Sequence, residues 1–88
     1  MRYDKDRPSL YLDIGKRIMM ARRWADLNQR DFGARLGISH AAVSDLERGK
    51  SKPNLDNLAV IADALNVSLS QLVVLERRTP SQFDREAG

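Results

Sequence analysis

The chain has 88 residues, enough for one small domain and too few for two independent cores. It contains no cysteine, which excludes disulfides and thiolate metal sites, and no apolar run nears the roughly 20 residues needed to cross a bilayer. Its formal net charge is +3, a mild basic excess that says little by itself.

The distribution of that charge says more. Residues 14–53 carry nine Lys or Arg against four Asp or Glu, whereas residues 54–76 carry three acidic residues and no basic one. A polyanion would be drawn to the first stretch and repelled by the second. An ordinary solvated surface is the competing reading, and charge alone leaves both open. The opening MRYDKDRPS is charged and leads into no apolar core, so it does not read as a secretory signal. A reducing, cytoplasmic setting is expected.

In chain order, residues 1–9 read as an arm, residues 10–76 as an all-α domain and residues 77–88 as a polar tail. A first helix is expected from about Leu10 to Ala25, capped by Ser9. Ile14, Ile18, Ala21 and Ala25 form its apolar stripe, with Trp24 as a partly buried packing residue, or less simply a stacking platform. A second helix is expected from Gln29 to Leu36, with Asn28 as cap, Asp31 in its first turn, Phe32 and Leu36 inward, and Gly37 as stop. Gly33 inside it costs about 1 kcal/mol relative to Ala, which a close approach by another helix would explain.

A third helix is expected from His40 to Arg48, capped by Ser39 and stopped by Gly49. Val43 and Leu46 face inward, leaving His40, Ala41, Ser44, Asp45 and Arg48 outward. A fourth follows Asn54 after Pro53, with Leu55, Leu58, Ile61, Ala62 and Leu65 as its buried stripe. A fifth starts at Ser68, where Gln71 completes a capping box. Leu69, Leu72, Val73, Val74 and Leu75 cover more of this last helix than one core stripe needs, so part of that surface is expected to meet a second copy. A fully buried terminal helix is the alternative.

The second and third helices, joined by Gly37-Ile38-Ser39, have the spacing of a helix-turn-helix. In that motif the second helix enters the major groove, where each base pair shows a distinct donor and acceptor pattern. An αα-hairpin with a purely structural role shares the spacing. Catalysis is not expected. There is one histidine, no Gly-rich phosphate loop and no Gly-x-Ser-x-Gly elbow, and His40, Ser44 and Asp45 share one short helix with no group to orient the imidazole. No metal and no cofactor are expected.

The run NQRDFGARLGISHAAVSDLERGKSKPNLDNLAVIADALNVSLSQL resembles the Cro/C1-type, or Xre-like, helix-turn-helix family, and the resemblance extends over about residues 12–75. Gln29 opens the second helix as it does in that family. Val43, Leu46, Glu47, Gly49 and Pro53 fit the pattern around the reading helix, and Leu55, Leu58, Ala62, Leu65 and Leu72 fit the closing helices. The resemblance implies a compact five-helix, lambda-repressor-like bundle that binds pseudo-palindromic double-stranded DNA as a dimer. Carried over position by position, it implies that Ser39, His40, Ala41, Ser44 and Asp45 face base edges or nearby backbone. It implies phosphate contacts for Gln29, Arg48, Lys50 and Lys52, with Arg17 and Arg22 or Arg23 adding more.

Two departures stand out. The reading helix starts His40-Ala41-Ala42 where the family often has a polar residue such as Gln or Ser, so direct readout is expected to be sparse, with weight on thymine-methyl contacts and DNA shape. Asp45 sits awkwardly near phosphates. It can accept from a cytosine amino group or pair with a neighbouring arginine and read nothing. Within this family the compact size resembles restriction–modification controller proteins, phage-type repressors and some antitoxins. A protein-interaction module, or an antitoxin whose main target is a protein partner, is the competing function.

Overall fold

The computed structural model describes residues 8–74. Five helices follow in order: α1 (Pro8–Trp24), α2 (Gln29–Leu36), α3 (His40–Glu47), α4 (Leu55–Leu65) and α5 (Leu69–Leu72). No strand occurs among the described residues. Residues 1–7 of the expected arm (1–9), residues 75 and 76 of the expected domain and the polar tail lie outside them, and so does Leu75, while residues 8 and 9 of that arm belong to α1.

The helix starts are set by short polar side chains that satisfy first-turn N–H groups. Asn28 Oδ1 accepts from the Asp31 N–H at 2.7 Å, Ser39 Oγ from Ala42 at 3.1 Å, and Asn54 Oδ1 from Asn57 at 2.8 Å. At α5 the Gln71 carboxamide oxygen reaches back to the Ser68 N–H at 2.8 Å, the reciprocal half of a capping box. α1 starts differently. It opens on Pro8, whose fixed φ suits a first helical position, so Ser9 lies within the first turn and is not the cap expected for it.

Ten side chains from all five helices make the core: Ile14, Ile18, Phe32, Val43, Leu46, Leu58, Ile61, Ala62, Leu65 and Leu72. Phe32, Ile18, Val43 and Leu72 are fully enclosed. Three expected packing positions are corrected. Trp24, the last residue of α1, is 92% exposed, because the chain turns away just after it at Asp26 (φ 62°) and none of the described helices covers the indole. Ala25 is exposed in the same turn. Leu55 is 66% exposed, since the buried stripe of α4 begins one turn later at Leu58.

α5 departs furthest from expectation. It is four residues long, and Leu72 is at 0% exposure inside the core. Leu69 and Val73 are half-buried against that core, leaving Val74 as its exposed apolar neighbour. Leu72 therefore cannot touch a second copy.

Two glycines allow backbones to meet. A Cβ on Gly15 would lie 2.5 Å from the Glu47 carbonyl oxygen and 2.6 Å from that of Leu46, so α1 seats the end of α3 directly against its backbone. A Cβ on Gly33 would lie 2.6 Å from the Ile38 carbonyl oxygen. The close approach that explains Gly33 is thus the turn that follows its own helix, not another helix.

Candidate nucleic-acid interface

The turn between α2 and α3 is built from local hydrogen bonds. Gly37 takes the left-handed conformation (φ 72°), and the Ile38 N–H bonds to the Gly33 carbonyl at 2.9 Å, which folds the chain back sharply enough to launch α3 across α2. Ser39 then caps α3.

α3 has two unlike sides. Val43, Leu46 and Glu47 are buried. His40 and Ala41 are exposed, and Ser44 and Asp45 are half-buried at the margin. The outer side is therefore short, polar or small, and its backbone is open to close approach. α3 ends at Glu47, with Arg48 as its cap residue.

The segment that follows is tied back to the helix. The Lys50 and Ser51 N–H groups bond to the Asp45 carbonyl oxygen at 2.9 and 3.3 Å. Arg48, Lys50 and Lys52 are all exposed along it. Lys52 Nζ lies 6.0 Å from the centre of the Tyr11 ring, at the outer limit of a cation–π contact. Arg48 Nη2 is 3.5 Å from Asp45 Oδ1, a loose pair on a solvated surface.

Behind α3 lies a buried polar junction. Arg22 Nε donates to Glu47 Oε2 at 2.6 Å and Nη2 to Oε1 at 3.0 Å, while Nη1 donates to the Leu27 carbonyl at 2.8 Å. Gln29 Nε2 donates to the same Oε1 at 3.1 Å. The bidentate fork satisfies both charges out of water. This corrects the expected role of Arg22: it is 7% exposed and its guanidinium is spent on Glu47 and Leu27, so it braces α1 against α3. Gln29 stands half-buried at the start of α2, with its carboxamide shared with this junction.

Arg17 is also displaced from its expected company. Its Nε bonds Asp13 Oδ2 at 2.9 Å, and it lines a groove between α1 and the α4–α5 turn to which no residue of α3 contributes. Lys16 and Arg23, seven apart and so on one side of α1, are exposed instead. Ser39, His40, Ala41, Ser44, Asp45, Arg48, Lys50 and Lys52 are brought together on α3 and its exit, and Gln29 adjoins them through Glu47.

Sequence reasoning missed Gly15 and the partnership of Arg22 with Glu47. A signal for the second was present: Glu47 falls at the inward spacing of Val43 and Leu46, where a carboxylate needs a buried partner.

This arrangement has close parallels. The helix-turn-helix family matches residues 18–72. The chain belongs to the helix-turn-helix family of Cro/C1, or Xre, type. It is 37% identical over 67 residues to the uncharacterized HTH-type transcriptional regulator y4dJ of Sinorhizobium fredii, spanning 76% of this chain and 87% of that one. It is 33% identical over 60 residues to the repressor protein C2 of Salmonella phage P22, spanning 68% of this chain but only 28% of that longer protein.

Among solved structures, the restriction–modification controller protein C.AhdI of Aeromonas hydrophila superposes with a TM-score of 0.70 at 25% identity, covering 77% of this chain and 99% of its own. The P22 c2 repressor bound to a synthetic operator superposes with a TM-score of 0.63 at 33% identity, covering 69% of this chain and 92% of its own. The helix-turn-helix members are DNA-binding transcriptional regulators, and the five-helix fold is that of the lambda- and 434-like repressors.

Proposed function

We propose that this helix-turn-helix protein is a cytoplasmic, dimeric regulator of transcription that binds a pseudo-palindromic operator with α3 in the major groove. The observation that carries the reading is the two-sidedness of α3. Val43 and Leu46 fix it from within, while His40 and Ala41 project outward beside a segment bearing Arg48, Lys50 and Lys52. A helix of this build can approach base edges while the cations beside it hold the phosphates.

In this reading His40 and Ser44, one turn apart, supply donors and acceptors to base edges, and Ala41 supplies a methyl contact. Ser39 caps α3 and approaches the DNA backbone at the helix start, and Asp45 faces the groove margin. Gln29, Arg48, Lys50 and Lys52 set register on the phosphates. Arg22 acts from inside by holding α3, and Arg17 lies too far round α1 to join them. A two-fold dimer would set two reading helices about 34 Å apart, one turn of DNA.

Selection from a pool of random duplexes at near-physiological salt tests this. Enrichment of a palindrome with half-sites about one helical turn apart is the expected result. Weak, salt-sensitive retention without enrichment would overturn it.

A further inference from the structure

Between the C-terminal half of α1 and the α4–α5 turn lies an open groove of about 510 Å³. Met20, Ala21, Trp24, Ala25, Leu65 and Val67 form its apolar walls. Trp24 stands at the rim 92% exposed, and Met20, one turn earlier, is 64% exposed. An indole left in water forfeits a large apolar burial, which small domains can rarely spare.

We propose that this groove is a self-docking surface: two copies associate about a two-fold axis, each inserting its Trp24 into the groove of the other. The proposal rests on the reading of the protein as a dimeric regulator, and it moves the dimer contact from α5 to α1 and the α4–α5 turn.

Knob and hole lie on one patch. That is what a two-fold interface requires, since the same surface must serve both copies and complement itself. The two small side chains Ala21 and Ala25 leave room beside the ring, and the groove volume falls in the range that accepts ring systems.

The area reaches the lower threshold for association. A buried tryptophan removes about 150–250 Å² from water, so two indoles, two Met20 side chains and the walls they cover come to about 1,000 Å², the lower threshold for a specific interface and the size of a weak, concentration-dependent dimer. Charge does not oppose the contact. Arg17 is the ionisable residue among the described ones that line the groove, and Asp13 neutralises it at 2.9 Å. α5 by itself offers too little, with Leu72 enclosed and Leu69 and Val73 half-covered.

Trp24 is the one tryptophan of the chain, so it reports its own surroundings. The experiment is a dilution series of the full chain without DNA, followed by tryptophan emission, acrylamide quenching and sedimentation. The expected result is a blue shift and loss of quenching over the same concentrations at which monomer becomes dimer. Trp24→Ser should raise the dimer dissociation constant by about 100-fold or more and leave the circular dichroism of the monomer unchanged, because the side chain is 92% exposed and contributes nothing to the core.

A dimer whose tryptophan stays quenchable overturns the proposal, since another face then pairs. So does a tryptophan protected in the monomer, which means the chain covers its own groove, and so does a monomer at every concentration. Titration of a selected duplex in parallel separates the two readings. Two copies on a palindrome with Trp24 still quenchable would leave the regulator standing and remove the groove. A Trp24-buried dimer that prefers no duplex would do the reverse.

Discussion

The two sides of α3 each carry an acid paired with an arginine, and the pairs are opposite in kind. Glu47 meets Arg22 at 2.6 and 3.0 Å with side chains 4% and 9% exposed. Asp45 meets Arg48 at 3.5 Å with side chains 50% and 60% exposed. The acids are two residues apart. On a helix that spacing is a rotation of about 200°, enough to carry one carboxylate into the core and leave the other in solvent. The inner pair belongs to the architecture that aims the helix. The outer pair belongs to the solvent-facing surface proposed to meet DNA. Substitutions on the two sides should therefore separate stability from binding.

The largest effect is expected from breaking the inner pair. Glu47→Ala or Arg22→Ala strands a buried charge, and each should cost about 3–5 kcal/mol. For a domain of this size that is a large share of the total stability. Chemical denaturation measures it. Replacing both partners with apolar residues of similar size should recover most of the loss. A cost under about 1 kcal/mol for either single change would mean that the junction is solvated and that α3 is held by Val43 and Leu46 alone.

Gly15 tests the same side through the backbone. A methyl group there meets the Leu46 and Glu47 carbonyl oxygens, and because these are backbone atoms the helices themselves must part. Gly15→Ala should cost about 2 kcal/mol despite the better helix propensity of alanine. A melting temperature equal to or above that of the wild type would refute the close α1–α3 seat.

The outer side should respond in binding and not in folding. Replacing Lys50 and Lys52 together by Ala is expected to weaken binding to every duplex by about tenfold or more. It should also flatten the dependence of log affinity on log salt by about two per protomer. Stability should stay within about 0.5 kcal/mol of wild type. His40→Ala should instead change which sequences are selected. If both substitutions act alike, the division into positioning and reading residues fails.

Much of this contrast was legible in the sequence. Asn28, Ser39, Asn54 and Ser68 mark the starts of four helices because capping is local chemistry, decided within three residues. The outward set of α3 follows from periodicity once Val43 and Leu46 are taken as inward. What periodicity cannot supply is the identity of the neighbour across a contact. Arg22 falls four residues beyond Ile18, at the edge of the inward side of α1, but that spacing does not name its partner, Glu47, 25 residues away. Trp24, Leu55 and Leu72 went astray for a related reason. An apolar residue at a helix end is covered or bare according to where the neighbouring helix stops, and the length of α5 is set by tertiary packing.

Asp45 is where the smallest effect is expected. Its carbonyl oxygen, not its carboxylate, anchors the basic exit of α3 through Lys50 and Ser51. Asp45→Asn keeps that carbonyl and the side-chain shape, and removes only a loose, half-exposed pair with Arg48. Stability should therefore change by no more than about 0.5 kcal/mol. Binding separates the two roles open to the carboxylate. If it only pairs with Arg48, the substitution frees that guanidinium for a phosphate and removes a repelling charge, so all duplexes should bind slightly more tightly with the same selected half-site. If it accepts from a cytosine amino group, the selected half-site should change at one base pair, because an asparagine amide presents a donor as well as an acceptor there. The geometry favours the first outcome, since the carboxylate is turned toward Arg48 at the margin of the helix and His40 and Ala41 occupy the exposed positions.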